Sequence, residues 1–231
     1  MVSTVHVSGV ANRIDGVRER ILLACQRAGR QPGEVTLIAV TKTLPADSVL
    51  ATLQSGIRDF GENRVQEALD KIDAVRDLWS GDGPAPSWHL IGHLQTNKVQ
   101  FIAGRFAILH GIDSERLVET VGRLAEGPQR VMLEVNVSGE SSKFGVAPPD
   151  LERLLNLASR TPNVLVEGLM TVAPQTDHAE FARPVFRQLR ELAERHSLPQ
   201  LSMGMSDDFE VAIEEGATYV RVGRAIFGER P

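Results

Sequence analysis

Short runs of β-branched and aliphatic residues alternate along this chain with longer segments in which apolar residues return every three or four positions. The opening segment shows only the helical spacing: Ile14, Val17 and Ile21 fall on one face, and Gly29 follows near the end of the pattern. It predicts a leading amphipathic helix over about residues 10–30. After this helix the two patterns take turns to the end of the chain.

Eight apolar, strand-like runs each precede a segment with helical periodicity. Period-two or continuous apolar runs of four to eight residues are typical of strands, whereas helices need longer segments with period 3.6. Strands are predicted at 35–41, 57–61, 87–91, 106–111, 130–137, 164–171, 200–204 and 218–222. Helices are predicted at 45–55, 64–78, 97–103, 114–126, 149–160, 179–196 and 207–215, with a last helical turn from 225.

Eight βα units of about 25 residues each suit an α/β fold, the (β/α)8 TIM barrel, preceded by an additional N-terminal helix. The alternative is an open, doubly wound sheet, but no predicted strand is followed by the Gly-x-Gly-x-x-Gly turn of a dinucleotide-binding fold. One barrel accounts for residues 1–231, so we expect a single domain. The Gly- and Pro-rich stretch 79–87 is interpreted as a loop within it.

The composition narrows the class of protein. Of 231 residues, 42% are hydrophobic and 24% are charged, as in ordinary globular proteins. With 25 Lys and Arg against 30 Asp and Glu, the net charge of −5 argues against nucleic-acid binding. We expect no secretory signal and no membrane span, since no apolar run is long enough. The single cysteine, Cys25, is interpreted as a core residue; it allows no internal disulfide, which suits a reducing, cytoplasmic location.

Four polar side chains interrupt otherwise apolar strands. Strands of a parallel barrel are buried on both faces, so a charged residue there needs a partner or a ligand. The period of two places Glu134, Asn136 and Arg221 toward the barrel interior, and Lys42 at the carboxyl end of the first strand. An internal ion pair of Arg221 with Glu134 is one interpretation, and a ligand site is the other. Because barrel active sites lie at the carboxyl ends of strands, we favour a functional role for Lys42.

An anion site is predicted after strands seven and eight. Ser206 follows one strand and Gly223 the other, each just before a helical segment whose first N–H groups have no intrahelical partner. Alternatively, Ser206 is only an N-cap and Gly223 only a tight turn. In a closed barrel strand eight neighbours strand one, so Lys42 faces this cradle across one ligand. A lysine opposite a phosphate indicates a Schiff base with a phosphorylated aldehyde, because burial favours the neutral amine that attacks a carbonyl.

Other polar residues are assigned structural roles. His89 and His93 lie on a strand and its following loop, where packing or hydrogen bonding is favoured over catalysis or metal binding. Glu62 and Glu67 are interpreted as cap and helix-surface charges rather than as an acid–base pair. Lys143 is interpreted as a solvated loop lysine rather than as a mobile cap on the ligand. No metal site is expected.

Seven ordered segments carry a family resemblance that spans nearly the whole chain. They are AVTKT at 39–43, FGENRVQE at 60–67, WHLIGHLQTNK at 88–98, SKFG at 142–145, GLMT at 168–171, LSMGMSDD at 201–208 and RVGRAIFG at 221–228. Together they resemble the pyridoxal phosphate homeostasis proteins, the single-domain relatives of the alanine racemase barrel. The resemblance implies a (β/α)8 barrel that binds pyridoxal 5′-phosphate (PLP) as an internal aldimine on Lys42.

The resemblance also implies further cofactor-binding residues. Ser206, Gly223 and Arg224 would surround the phosphate, Arg221 would face the pyridine nitrogen, and Asn63 and Met170 would line the pocket near the ring. Many relatives carry a hydroxyl residue in place of Arg224. Here, therefore, either the N–H of Arg224 suffices or its guanidinium adds a charged contact to the phosphate.

The function that this resemblance implies is intracellular PLP homeostasis: storage, shielding and delivery to PLP-dependent apoenzymes, by a monomer without robust turnover. The alternative is a PLP-dependent amino-acid racemase. A lysine Schiff-base aldolase without PLP would explain the cradle but not the seven segments. An arginine cannot give the ring nitrogen a full proton, so the cofactor would be a weak electron sink. Racemisation also needs a second base, and the one tyrosine, Tyr219, is predicted well inside the barrel.

Overall fold

A computed structural model describes residues 4–79, 83, 85–102 and 104–229, with residues 4–8 described in their backbone. Of the loop predicted at 79–87, residues 80–82 and 84 lie outside the described residues. In the described part of the chain, no helix is both long enough and apolar enough to cross a membrane.

Parallel strands alternate with helices from one end of this structure to the other. The strands are β1 Thr36–Val40, β2 Asp59–Glu62, β3 Ser87–Leu90, β4 Ile108–Ile112, β5 Gln129–Glu134, β6 Val164–Met170, β7 Gln200–Ser202 and β8 Tyr219–Val222. The α-helices are α1 Thr4–Ala28, α2 Ala46–Gln54, α3 Val65–Leu78, α4 Glu115–Leu124, α5 Leu151–Ala158, α6 Arg183–Arg195, α7 Phe209–Glu214 and α8 Arg224–Phe227. Short 3-10 helices lie at Pro32–Glu34, Thr96–Phe101, Pro148–Asp150 and Ala179–Ala182.

The strands close into a barrel in chain order, β1 through β8. Closure is made by β1 and β8, which pair in parallel from Thr36 opposite Tyr219 to Ala39 opposite Val222. The predicted (β/α)8 barrel with a leading helix is thereby confirmed. Because all eight strands run in parallel, their carboxyl ends meet at one mouth, where loops from distant parts of the sequence converge.

Two apolar clusters hold the barrel together. The larger one lies between the strands and the helices and includes the fully buried Phe60, Phe186 and Phe209. The smaller one fills the barrel interior and consists of Ile38, Ile108, Met132, Met170 and Tyr219, from five different strands. The predicted core position of Cys25 is confirmed, since its side chain is fully buried in the larger cluster.

The leading helix α1 packs on the last two helices of the chain. Arg13 donates from Nε to the carbonyl of Ile226 in α8 at 2.6 Å. Arg30, just beyond α1, donates to the carbonyls of Ile213 and Ala217 at 2.8 Å each. These bonds fix the segments on either side of β8, which carry the predicted anion cradle.

Two predicted elements differ from the structure. The α-helix expected at 97–103 is a 3-10 helix over Thr96–Phe101, in which the N–H of Lys98 donates to the carbonyl of Gln95 three residues earlier. Such a short segment buries only Val99 and gains little from a longer α-helical ladder. The fifth strand, expected to reach residue 137, ends at Glu134, because the chain then turns away and Asn136 pairs with Val146 through its N–H.

Candidate functional site

A cavity of about 600 Å3 opens at the carboxyl ends of the strands. Val40 and Lys42 line it from the end of β1, and Asn63 and Ile91 line it from just beyond β2 and β3. The loops after β6, β7 and β8 supply the rest, at residues 172–179, 205–208 and 223–229. A cavity of this size is typical of small-molecule sites and matches the place where barrel active sites are built.

A buried ion pair anchors the backbone beside Lys42. Glu62, at the end of β2, is fully buried, and its Oε1 accepts hydrogen bonds from Lys71 Nζ and from the hydroxyl of Thr41, both at 2.6 Å. Lys71 Nζ also donates to the carbonyl of Thr41 at 2.6 Å. Thr41 is thus held by its hydroxyl and by its carbonyl, one residue before Lys42.

The residue that follows Lys42 is held from the same network. Thr43 has a φ of 65°, a left-handed conformation that a β-branched residue adopts only at some cost. Its N–H donates to Glu67 Oε1, and Glu67 lies 3.4 Å from Lys71 Nζ. The backbone on both sides of Lys42 is therefore fixed by α3 and β2, which limits where the Lys42 side chain can start.

The interpretation of Glu62 as a cap or surface charge was wrong, because its side chain is fully buried and pairs with Lys71 of the following helix α3. Burial raises the pKa of the Glu62 carboxyl, and the hydrogen bonds from Lys71 and Thr41 oppose that effect. In the described part of the chain, Glu62 Oε2 has no hydrogen-bond partner. The stability of this carboxylate therefore depends on Lys71.

The predicted anion cradle is formed by Ser206 and the start of α8. The N–H groups of Gly223 and Ala225 both donate to Ser206 Oγ at 3.3 Å, so two backbone donors point to the same hydroxyl oxygen. The turn before it is closed by Asp208, whose Oδ1 accepts the N–H of Met205 at 2.6 Å. Burial raises the pKa of the Asp208 carboxyl.

The side chain of Arg224 lies at the rim of the cavity. Its guanidinium forms an ion pair with Asp207, from the loop on the other side of the cradle. In this arrangement the side chain spans the two loops that form the cradle. The N–H groups of the cradle and the guanidinium of Arg224 are thus two separate sources of positive potential for an anion.

Arg221 lines the cavity from β8 and is buried, as its predicted inward direction requires. Its Nη1 donates to Ser202 Oγ at 2.7 Å, and its Nη2 donates to the carbonyl of Thr171 at 2.9 Å. Burial lowers the pKa of Arg221 to about 10, and the charges of Asp208 and Glu134 oppose that effect. The guanidinium is therefore held in a fixed plane and remains a cation at neutral pH.

The alternative of a direct ion pair between Arg221 and Glu134 is not what the structure shows: Arg221 uses neutral oxygens instead. Glu134 is buried near the end of β5, where burial and the neighbouring charge of Asp113 raise its pKa to about 7, opposed by Arg221.

The inward direction predicted for Asn136 was wrong. Beyond the end of β5 its side-chain amide donates to the carbonyl of Glu140 at 2.9 Å, which shapes the following loop.

That loop folds over the mouth of the barrel. Phe144 stacks on His93 with ring centroids 3.8 Å apart, and His93 Nδ1 lies 3.4 Å from Asp113, so the predicted packing role of His93 is confirmed. Lys143 is not the solvated lysine that the sequence suggested. Its Nζ donates to the carbonyl of Val172 at 3.2 Å and pairs with Glu140 at 3.0 Å, because the loop turns it back toward the barrel.

The structure brings six of the seven predicted cofactor-binding residues to one cavity: Lys42, Asn63, Ser206, Arg221, Gly223 and Arg224. Met170 lies instead in the apolar cluster of the barrel interior. The sequence did not single out Lys71 or Asp207, because their pairing with Glu62 and Arg224, 9 and 17 residues away, follows no local motif. Within the described residues, no group of three or more His, Cys, Asp or Glu is arranged to hold a metal ion.

Comparisons with known proteins give the family and support the fold. A sequence model of the family described as "Alanine racemase, N-terminal domain" matches residues 14–231. The alanine racemase of Corynebacterium glutamicum has the same fold, with a TM-score of 0.71 at 19% identity over 97% of this chain and 62% of that chain. The fold and the cavity thus define a barrel of the alanine racemase N-terminal type.

Two relatives of similar length narrow the class. A pyridoxal phosphate homeostasis protein from Aquifex aeolicus is 44% identical over 227 residues, covering 94% of this chain and 97% of the relative. The structure of PipY from Synechococcus elongatus PCC7942 with PLP bound has a TM-score of 0.79 at 35% identity, over 95% of this chain and 100% of that chain. The chain belongs to the pyridoxal phosphate homeostasis protein family.

The buried ion pair of Glu62 with Lys71 predicts that a variant without Lys71 has a lower free energy of unfolding than the unaltered protein. Replacing Lys71→Met leaves the Glu62 carboxylate buried without its cation, which costs about 3–5 kcal/mol in the free energy of unfolding. The loss shrinks as the pH falls toward 4, because a protonated Glu62 carries no charge to compensate. Urea unfolding at several pH values measures both effects.

Two further variants control this experiment. The double variant Glu62→Gln/Lys71→Met recovers most of the lost stability, since neither residue then leaves a buried charge. Arg153→Met removes an exposed partner of Glu115 and costs at most about 1 kcal/mol. Equal losses in Lys71→Met and Arg153→Met would contradict the anchoring role of the pair.

Proposed function

We propose that this chain is a PLP-binding protein that holds the cofactor as a Schiff base on Lys42 and serves intracellular PLP homeostasis by storing, shielding and delivering it. The observation that carries the proposal is the single cavity at the strand ends, which Lys42 lines together with the anion cradle of Ser206 and Gly223. The family of the chain and the PLP bound to PipY support the choice of cofactor.

The residues present fit each part of PLP. The amine of Lys42 is the group that would bond the aldehyde carbon, and Ser206, the Gly223 N–H and Arg224 would hold the phosphate. Arg221 would face the pyridine nitrogen and Asn63 would line the cavity beside the ring, with Met170 in the apolar cluster of the barrel interior. When bound, PLP supplies an aldehyde that condenses with amines and a ring that can accept electrons.

The charge state of Arg221 favours a carrier. A guanidinium with a pKa of about 10 keeps its proton at neutral pH, so it donates a hydrogen bond to a ring nitrogen without transferring the proton. A ring nitrogen that stays unprotonated is a poor electron sink, which disfavours transamination and other chemistry that stabilises a carbanion. The site then retains the cofactor without promoting its reactions.

The position of Tyr219 argues against the racemase alternative. A racemase needs two bases on opposite faces of the reacting carbon, and Lys42 supplies one of them. Tyr219 lies in the apolar cluster inside the barrel, with burial raising the pKa of its phenol, and it does not line the cavity. We extend the proposal to a cytoplasmic monomer whose partners are PLP-dependent apoenzymes.

The Lys42 assignment predicts a covalent label. Protein incubated with PLP and then reduced with borohydride carries the label on Lys42, because reduction converts a reversible Schiff base into a stable amine. Peptide mapping by mass spectrometry locates the label, and Lys42→Ala serves as the negative control. A label found mainly on another lysine would contradict the assignment.

The carrier function predicts no racemase turnover. Protein loaded with PLP and incubated with L-alanine or L-serine produces no more D-isomer than Lys42→Ala does, because the cavity supplies one base and a weak electron sink. Chiral chromatography measures the product. Turnover that depends on Lys42 would place the racemase function first.

The anion cradle predicts weaker retention of PLP in Ser206→Ala. Loss of the hydroxyl removes a hydrogen-bond donor to the phosphate, which costs about 1–3 kcal/mol, or about 5- to 150-fold in the dissociation constant. Equilibrium dialysis against PLP measures the change. The matched control Ser159→Ala, at the exposed end of α5, retains PLP as the unaltered protein does. Equal affinity in both variants would show that Ser206 is only a turn residue.

A further inference from the structure

A line of hydrogen-bonding side chains crosses the barrel interior from one mouth to the other. It starts at Asp59, the first residue of β2, whose Oδ1 lies 3.0 Å from His89 Nε2. His89 Nδ1 lies 3.0 Å from His110 Nε2, and His110 Nδ1 lies 2.8 Å from Ser202 Oγ. The line ends at Arg221, which lines the cavity and donates to Ser202 Oγ at 2.7 Å.

The middle of this line is sealed from water. His89, His110 and Ser202 are each at most 1% exposed, whereas the side chain of Asp59 is 30% exposed. The ring of Tyr219 covers both imidazoles, with centroids 5.9 Å from His89 and 5.7 Å from His110. Buried polar groups need partners, and each inner member of the line finds its partners along it.

The chemistry of the two ends gives the line one direction. An ionised carboxylate only accepts, so the His89 nitrogen that faces Asp59 carries the hydrogen. His89 Nδ1 then accepts from the Nε2–H of His110. Burial, together with the nearby charge of Arg221, holds the pKa of His110 well below its usual range, so His110 is neutral and accepts at Nδ1.

Ser202 completes the chain from the other side. Its oxygen accepts from Arg221, so its single hydrogen is available for His110 Nδ1. Every hydrogen bond therefore points from Arg221 toward Asp59. At each contact along the line, one group donates and the other accepts. Aligned bonds of this kind polarise one another and strengthen the whole chain.

We propose that Asp59, His89, His110 and Ser202 are positioning residues that form a one-directional hydrogen-bond relay, through which the opposite mouth of the barrel sets the orientation of Arg221. Asp59 is thereby the remote anionic partner of a cation buried at the cavity. The effect on bound PLP rests on the proposed function, whereas the relay itself exists in the protein without PLP.

The relay explains how Arg221 holds its plane without a direct carboxylate partner. One nitrogen of the guanidinium is fixed by the carbonyl of Thr171 at 2.9 Å and the other by Ser202. Without the Ser202 bond, the guanidinium retains a single anchor and can rotate. The contact with the ring nitrogen of PLP is then lost for part of the time.

The first test uses the protein without PLP. Nitrogen-15 NMR of protein labelled at histidine distinguishes the two neutral tautomers, and His89→Gln and His110→Gln assign the signals. We expect both histidines to carry their hydrogen on Nε2 between pH 6 and 8. In Asp59→Ala this preference is reduced at least threefold for His89, while the nearby control Ser87→Ala, whose hydroxyl lies 3.3 Å from His89 Nε2, retains it. A hydrogen on Nδ1 of His110 in the unaltered protein would overturn the relay.

The second test uses PLP and its visible absorption band. Ser202→Ala shifts the band of the bound cofactor and weakens PLP retention at least fivefold, whereas Ser202→Thr, which keeps the hydroxyl, restores both. Asp59→Ala shifts the band in the same direction, although Asp59 lies at the opposite mouth. An unchanged band in both Ala variants would sink the proposal. Failure of the unaltered protein to bind PLP would contradict the proposed function alone, since the tautomer measurement is independent of PLP.

Discussion

The hydrogen bonds between β1 and β8 are the constraint on which the rest of this molecule depends. They join the first strand to the last, from Thr36 opposite Tyr219 to Ala39 opposite Val222, and so turn eight parallel strands into a closed barrel. Closure brings Lys42, just past β1, to the same cavity as the cradle around β8. An open sheet would leave these groups at opposite edges. The packing of α1 against α7 and α8 supports the same closure from outside.

Closure also creates a problem, because polar side chains at the barrel mouth are removed from water. In the structure several of these groups find a partner, some within the same βα unit and some in another unit. Glu62 is neutralised by Lys71, and this pair holds the backbone of Thr41 next to Lys42. A buried pair of this kind contributes little net stability, but removal of one partner is costly. Its effect here is to fix the backbone from which the Lys42 side chain extends.

The buried guanidinium of Arg221, unlike the ammonium of Lys71, has neutral hydrogen-bond partners instead of a carboxylate. The barrel surrounds its guanidinium with neutral oxygens, from Ser202 and Thr171, and keeps the carboxylates Asp208 and Glu134 at a distance. The cation therefore remains available as a hydrogen-bond donor to a ligand. Such an arrangement suits the retention of a reactive cofactor more than its activation. The histidine relay extends from Arg221 to the opposite mouth of the barrel. There Asp59, whose side chain is partly exposed to water, supplies the compensating negative charge.

Hydrophobic periodicity was enough to predict the eight strands, most of the helices and their order, because it reports burial that is local to each segment. Motifs in the sequence also pointed to Lys42 and the cradle residues, which line one cavity in the structure, since strand ends and turns carry a local signature. The pairing of the polar groups, in contrast, is visible only in the folded barrel. His110 and Ser202 lie 92 residues apart, and Glu62 and Thr41 lie 21 apart, with no spacing rule to connect them. Glu62, Asn136 and Lys143 were misread for the same reason: the partner of a buried polar side chain is set by barrel closure and loop path, which no single segment encodes.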